Sequence, residues 1–300
     1  MQILHESKIT DSASNLRAAF RENGYLFIRA FFPSSLIILL RERITHILEA
    51  ENWGRFEAGT FVAMGPTSNR INSPPFHRCI AILMQEKSLH EISQHPSLCS
   101  FLSTLLEEPI YPHPRKMVRI TYPYSMNPKD VTPPHQDLVY VKGERDTFTT
   151  WIPLGDYPPE HGGLEVSPQS HQNGLYPMKA NSEGRFGCTA IKEHLTDFVW
   201  CGTHYLPGDL LIMHSLTLHR SGINQTKQFR ISLDCRFSSA LKTINEDQLL
   251  PPYYPHVPDW KDLSKKWKNP NRFALPSTIQ VHAKDKELSE VLMTPSRFAP

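Results

Sequence analysis

The sequence has no apolar run long enough to cross a membrane, which takes roughly 18 residues. Its most apolar stretch, residues 35–40, is followed at once by Arg41. A net charge of +2 over 300 residues also leaves no basic tract of the kind that binds nucleic acid or an acidic membrane. We therefore expect neither a membrane nor a nucleic acid as a partner.

Cysteine is scarce and scattered. There is no Cys-x-x-Cys pair, so a structural zinc site is not expected. The first residues also lack the basic and then apolar pattern of a secretion signal. Both observations favour a cytoplasmic protein whose thiols are reduced. The five cysteines are Cys79, Cys99, Cys188, Cys201 and Cys235.

Three common kinds of catalytic motif are missing. The sequence contains no Gly-x-Ser-x-Gly, no glycine-rich phosphate loop and no dinucleotide fingerprint. Serine hydrolase, phosphoryl-transfer and nicotinamide chemistry therefore find no support. The content of 39% hydrophobic and 21% charged residues is typical of an ordinary globular protein.

The pattern of apolar residues changes near Pro109. Before it, helical spacing predicts helices near residues 15–21, 33–51, 77–85 and 96–107, a buried strand at 25–28 and a long loop at 54–75. After it, short β-rich runs alternate with turns at 117–122, 138–142, 147–154, 164–167, 209–214 and 229–237. This spacing favours an antiparallel sandwich or barrel. We expect one domain, with a mostly helical part (1–108), a β core (109–240) and a C-terminal extension (241–300).

Two segments carry residues suited to binding a metal ion. In a strand, His135 and Asp137 would point to the same face and offer an imidazole and a carboxylate to one ion. Alone this pair is a weak signal, because 15 histidines make chance matches common. The second segment is more discriminating, since His219 is followed by Ser221 and, eleven residues on, by Arg230.

Two histidines and one carboxylate form the facial triad of non-haem iron(II) oxygenases, which leaves open positions for a 2-oxo acid and dioxygen. Arg230 has the planar fork of donors that suits the far carboxylate of such an acid, and Ser221 can add a hydroxyl. His214 competes with His219 for the third ligand position. The spacing to Ser221 and Arg230 favours His219.

With these residues the chain resembles the phytanoyl-CoA dioxygenase family of Fe(II)- and 2-oxoglutarate-dependent oxygenases, over roughly residues 15–240. The resemblance rests on the His135-Gln136-Asp137 motif and the segment from Gly208 through His219 to Arg230. It also includes residues 23–28, 151–156, 162–164 and 168–171.

The resemblance implies a double-stranded β-helix, a jelly roll with helices packed outside. It implies that His135, Asp137 and His219 bind Fe(II), while Arg230 and Ser221 hold 2-oxoglutarate. Trp151 and Met117 match positions that line the same pocket. The family then uses dioxygen to hydroxylate a small molecule, and because the carboxylate of Asp137 is retained, halogenation is not expected.

Some features leave alternatives open. Gln169 replaces a glycine of the family's pattern, so the turn there is expected to differ. Arg119, near Met117, is a candidate for binding an anionic group of the substrate, although a salt-bridged strand arginine is an equal interpretation. A cupin-like isomerase or small-molecule binding protein would keep the fold without needing Arg230. Neither the substrate nor the oligomeric state can be read from the sequence.

Overall fold

The structure is a computed structural model, and it describes residues 2–58, 60–64, 73–126, 131–180, 188–190, 198–268, 273–283 and 287–299. The helices are α1 (Ala13–Asn23), α2 (Ser34–Ala50), α3 (Pro74–Met84), α4 (Lys87–Ser93), α5 (Pro96–Leu106), α6 (Leu138–Val141), α7 (Trp260–Leu263) and α8 (Leu288–Leu292). The strands are β1 (Gln2–Ile3), β2 (Tyr25–Ile28), β3 (Gly54–Glu57), β4 (Thr60–Ala63), β5 (Ile110–Thr121), β6 (Phe148–Pro153), β7 (Leu164–Val166), β8 (Met178–Ala180), β9 (Cys188–Ala190), β10 (Cys201–Gly202), β11 (Leu210–His214), β12 (His219–Ser221), β13 (Arg230–Ser239), β14 (Thr243–Asn245) and β15 (Gln280–His282).

Two sheets form the centre of the fold. The larger is antiparallel with strand order β2-β11-β6-β13-β5, and the smaller has the order β1-β10-β7-β12. One apolar cluster joins Trp151 and Leu211 of the larger sheet to Val166 and Cys201 of the smaller one. The sheets therefore pack face to face, which confirms the mainly β, jelly-roll fold with flanking helices.

Strand β13 shows why the larger sheet has two different faces. Successive side chains of a strand point to opposite faces. Its apolar residues, Ile231, Leu233, Cys235 and Phe237, all belong to the core beneath the helices. The alternate residues therefore point toward the smaller sheet, and they are Arg230, Ser232, Asp234, Arg236 and Ser238. One face of β13 stabilises the fold, and the other presents polar groups to the interior between the sheets.

Helix α1 ends where it can support the interior. Ser12 caps its first turn, and Gly24 ends it with a left-handed φ of 77° that glycine adopts without strain. The Gly24 carbonyl accepts hydrogen bonds from Thr217 Oγ1 at 2.6 Å and from the backbone amide of His214 at 2.9 Å. The end of the helix thus fixes the turn that leads from β11 into β12.

The C-terminal extension is fastened to the rest of the fold. The indole of Trp267 donates to the carbonyl of Gln85 at 3.0 Å, and the ring of Trp260 packs edge-on against His90 of α4 with centroids 5.4 Å apart. Near the end of the chain, Phe298 packs edge-on against Phe20 with ring centroids 5.0 Å apart. Both tryptophans therefore anchor the extension. Among the described residues, no helix has the length and apolarity that crossing a bilayer requires.

The predicted helices near 15–21, 33–51, 77–85 and 96–107 are confirmed by α1, α2, α3 and α5, but α4 was not predicted. The predicted loop at 54–75 is wrong in its first part. Strands β3 and β4 pair there, with Phe56 opposite Phe61, and Phe61 is buried against Phe229. Burial of the Phe61 ring favours this pair of strands in spite of the turn-forming residues around it. Residues 65–72 lie outside the described part of the chain.

The predicted strand at 138–142 is also wrong, because residues Leu138–Val141 form the short helix α6. Leu138 and Val141 are one helical turn apart, and both join a small cluster with Leu216 and Val291. Short apolar runs do not separate strand from helix by period alone. Here the packing partners favour the helix.

We predict that Leu233→Ala destabilises the protein by about 2–5 kcal/mol, because it removes a fully buried side chain from the helix-facing side of β13. The midpoint of urea unfolding measures the change. The matched control is Leu241→Ala, since Leu241 is 54% exposed and its truncation should change stability by no more than about 0.5 kcal/mol. Equal losses in the two variants would contradict this description of the core.

Candidate metal centre

His135, Asp137 and His219 meet in the interior between the sheets. One ligand atom of each lies within 4.8 Å of the other two, and all three residues are buried. In the described part of the chain, this is the one such group of histidine, cysteine and acidic side chains. The structure therefore brings together the three residues that the sequence predicted as metal ligands.

A backbone bridge places the two histidines side by side. The amide of each donates to the carbonyl of the other at 3.0 Å, and their ring centroids are 4.1 Å apart. In both, Nδ1 contacts a carbonyl two residues earlier, that of Pro133 at 2.9 Å for His135 and that of Thr217 at 3.0 Å for His219. A carbonyl only accepts, so Nδ1 carries the proton and Nε2 keeps its lone pair for a metal.

Asp137 reaches the same point by a route that differs from the prediction. The strand alternation expected for His135 and Asp137 is wrong, because only His135 makes a β-bridge and Asp137 has helical dihedral angles at the start of α6. Its Oδ1 nevertheless lies 3.7 Å from Nε2 of His135 and 4.0 Å from Nε2 of His219. The carboxylate and both imidazoles thus converge without sharing a strand face.

The protonation states suit a cation. Burial and the neighbouring His135 lower the pKa of the His219 imidazole to about 3. Burial alone would raise the pKa of Asp137, but Arg236 and the two imidazoles hold that pKa well below its usual value. At neutral pH, His219 is therefore neutral and Asp137 is charged, which are the forms that bind a metal. Two nitrogens and one carboxylate oxygen fit a first-row dication.

Arg230 is linked to this group through Ser221, two residues from His219, and among the described residues its charge is unpaired. Its guanidinium donates to Ser221 Oγ at 2.7 Å, to Thr121 Oγ1 at 2.7 Å and to Ser232 Oγ at 3.2 Å. Among the described residues no carboxylate forms an ion pair with it, and its Nε is buried without a partner. Burial lowers the pKa of Arg230 only to about 10, so it remains charged at neutral pH. A buried charge of this kind fits an anionic ligand.

The two predicted pocket residues are neighbours of this arrangement. Trp151 is buried, and the guanidinium carbon of Arg230 lies 5.8 Å from its ring centroid. Met117 and Trp151 are both paired with Asp234 of β13, from opposite sides. They therefore lie in one row across the inner face of the larger sheet. Arg119, on the same face, forms an ion pair with Asp234 at 2.7 Å, so the salt-bridged alternative is present.

His214 occupies a different place from His219. Its Nε2 contacts Asp146 Oδ1 at 3.1 Å, and its Nδ1 accepts from the amide of Leu216 at 3.1 Å. Both nitrogens are engaged in a buried network.

The turn at Gln169 keeps a left-handed φ of 64°, so the conformation that glycine would favour is retained there.

Two residues near Asp137 were not predicted. Thr149 Oγ1 donates to Asp137 Oδ2 at 2.6 Å, and Arg236 Nη2 lies 3.2 Å from both carboxylate oxygens. A signal for Arg236 was available. Residues an even number of positions apart share one face of a strand, and Arg236 lies six residues after Arg230 on β13. No comparable signal pointed to Thr149, whose partner lies in another segment.

Comparisons with known proteins identify the family of the chain. The family model described as phytanoyl-CoA dioxygenase (PhyH) matches residues 20–232. The 1-deoxypentalenic acid 11-beta-hydroxylase of Streptomyces exfoliatus is 27% identical over 246 residues, which are 77% of this chain and 83% of that protein.

Two solved structures share the fold. EctD from S. alaskensis with bound Fe has a TM-score of 0.58 at 16% identity, covering 94% of this chain and 92% of its own. The epimerase SnoN in complex with Fe3+, alpha ketoglutarate and nogalamycin RO has a TM-score of 0.55 at 19% identity, covering 77% and 85%. At these identities the likeness shows the fold alone.

We predict that His219→Ala weakens Co²⁺ binding by at least about 100-fold, because loss of a ligand should exceed the 10–100-fold cost of changing a residue behind one. His214→Asn is the matched control, and its Co²⁺ affinity should stay within about threefold of the unmodified protein, since His214 bonds to Asp146 instead. Titration followed by visible absorption measures both. Loss of binding in His214→Asn alone would assign the third ligand to His214.

Proposed function

The chain belongs to the phytanoyl-CoA dioxygenase family, and on that premise we propose that it is an Fe(II)- and 2-oxoglutarate-dependent oxygenase that hydroxylates a small organic molecule. One observation carries the proposal. Among the described residues the buried guanidinium of Arg230 has no counterion, and it binds Ser221, which lies two residues from His219 of the metal group. An isomerase or a simple binding protein of this fold has no need of that guanidinium.

His135, Asp137 and His219 would hold the iron. When bound, ferrous iron with 2-oxoglutarate supplies the oxidant: dioxygen is reduced, 2-oxoglutarate loses carbon dioxide to give succinate, and one oxygen atom enters the substrate. The residues of the chain position these groups. Each histidine is oriented by its Nδ1 contact with a carbonyl, and the buried surroundings keep water from competing.

Arg230 and Ser221 would bind the far carboxylate of 2-oxoglutarate, with Trp151 and Met117 beside it. His219 and Ser221 lie two residues apart on β12 and so face the same way. The step between them is about 6.6 Å along the strand, a distance that a short dicarboxylate can span. Strand β12 thus holds Ser221 at a fixed separation from His219, and Ser221 in turn binds Arg230 of β13.

For the substrate we propose a contact with Arg119. Its side chain pairs with Asp234 at 2.7 Å and retains 16% exposure, so it is not fully enclosed. An anionic group on the substrate would be drawn to such a charge. The Streptomyces exfoliatus relative is named as the hydroxylase of an acid, which is in keeping with this choice.

We also propose that the chain acts as one domain, since a single core contains Leu40 of the helical part, Leu233 of the β part and Leu263 of the extension.

A reducing cytoplasm is the proposed compartment. Burial raises the pKa of the Cys79 and Cys235 thiols to about 12, so both stay protonated and unreactive.

We predict that the protein supplied with Fe(II) consumes 2-oxoglutarate and releases succinate, and that His135→Ala or Asp137→Ala lowers the rate at least about 100-fold. Each variant removes one of three ligands. Succinate formation by chromatography measures the rate. The control is Arg220→Met, which removes an ion pair with Glu165 outside the metal group and should leave turnover unchanged. Full activity in both ligand variants would refute the assignment.

We predict that Arg230→Met weakens 2-oxoglutarate binding by about 2 kcal/mol or more, roughly 30-fold, because it removes the cation proposed to pair with the distal carboxylate. Calorimetry without oxygen, on protein loaded with Co²⁺, measures the affinity. The Co²⁺ affinity itself should not change. Undiminished 2-oxoglutarate affinity in this variant would instead support the isomerase or binding-protein alternative.

A further inference from the structure

The carboxylate of Asp137 is held by two residues that face each other on neighbouring strands. Thr149 of β6 and Arg236 of β13 are register partners, and both point from the larger sheet toward Asp137. Thr149 binds Oδ2 at 2.6 Å, and Arg236 Nη2 lies 3.2 Å from each oxygen. Oδ1 is the oxygen that faces the imidazoles. The two oxygens are therefore distinguished by their surroundings.

We propose that Arg236 and Thr149 are positioning residues that clamp Asp137 with Oδ1 directed at the metal. This inference rests on the proposed function and names two residues that act on its metal site through Asp137. Neither residue needs to touch the metal or the substrate.

The local structure explains why Asp137 needs such a clamp. It lies at the start of a four-residue helix, and its own side chain makes no capping hydrogen bond there. A carboxylate on a short helix has no strand neighbours to restrict its rotation. The hydroxyl of Thr149 on one oxygen and the guanidinium of Arg236 on both restrict it from the side of the larger sheet.

The contacts of Arg236 support this role. Within the described residues its hydrogen bonds go to Asp137 alone, and its buried Nε has no partner. It also lies at a register shift between β13 and β5, a kind of irregularity that re-aims side chains. Burying a guanidinium is costly, and an apolar residue would fill the space more cheaply if packing were the only role.

Electrostatics and positioning make opposite predictions for Arg236. A guanidinium 3.2 Å from a ligand oxygen repels an incoming dication, so by charge alone its removal should strengthen metal binding. Loss of positioning should weaken it. Thr149 is uncharged, so replacing it tests positioning without altering the charge. The sign of the Arg236 effect and the size of the Thr149 effect are independent measurements.

The experiment is a Co²⁺ titration of the full chain without 2-oxoglutarate, followed by visible absorption, which reports both affinity and coordination geometry. Thr149→Val should weaken binding about 10–100-fold, and Thr149→Ser, which keeps the hydroxyl, should restore it to within about threefold. Arg236→Met should weaken binding in the same range and alter the absorption spectrum. Arg236→Lys keeps the charge but replaces the planar guanidinium with a shorter side chain that ends in an ammonium, so it should recover only part of the affinity.

Arg220→Met is the matched control, since it breaks an arginine–carboxylate pair of 2.7 Å next to His219 in sequence and should leave the titration unchanged. Unchanged affinity and spectrum in Thr149→Val, or tighter binding in Arg236→Met, would overturn the clamp even if the protein consumes 2-oxoglutarate. If the unmodified chain binds Co²⁺ but consumes no 2-oxoglutarate, the proposed function fails while the clamp is still tested. Absence of Co²⁺ binding by the unmodified chain would overturn both.

Discussion

Two reciprocal hydrogen bonds between the backbones of His135 and His219 hold the site together. They join segments that are far apart in the chain, and they bring both imidazoles to the same local geometry, each with Nδ1 on the carbonyl two residues earlier. The rest of the site extends from this bridge. On one side the chain turns into α6 and delivers Asp137; on the other, β12 continues to Ser221 and so to Arg230. A local backbone pairing thus sets the positions of both ends of the site.

The sequence allowed the more local half of this arrangement to be predicted. His219 and Ser221 lie on one short strand, and Arg230 begins the strand that follows, so their spacing reflects directly how they meet. Helix α1 was predictable for the same reason, because the residues that begin and end it, Ser12 and Gly24, lie directly next to it in the sequence. Periodicity and capping act over a few positions, and there the prediction and the structure agree.

The prediction went wrong where distant packing overrides a local pattern. The run 138–142 is apolar and contains the β-prone residues Val139, Tyr140 and Val141. Packing of Leu138 and Val141 against Leu216 and Val291 nevertheless favours a helix. Asp137 does lie close to His135, although the strand that was expected to bring them together is absent. Its role as a metal ligand stays a prediction. Thr149 could not be found from spacing at all, since its contact with Asp137 arises only when α6 is placed against β6.

The inner face of the larger sheet carries charges that an ordinary core would exclude. Two of its arginines are already paired, Arg236 with Asp137 and Arg119 with Asp234, whereas Arg230 is surrounded by hydroxyls. Hydroxyl contacts offset only part of the desolvation free energy of a buried charge, so the unpaired guanidinium of Arg230 lowers the stability of the fold when no anion is bound. On the proposed function, the dicarboxylate cosubstrate completes the third pair. Because the cosubstrate binds the folded chain and not the unfolded one, its binding stabilises the folded state. The chemistry of the site is thereby coupled to the stability of the jelly roll.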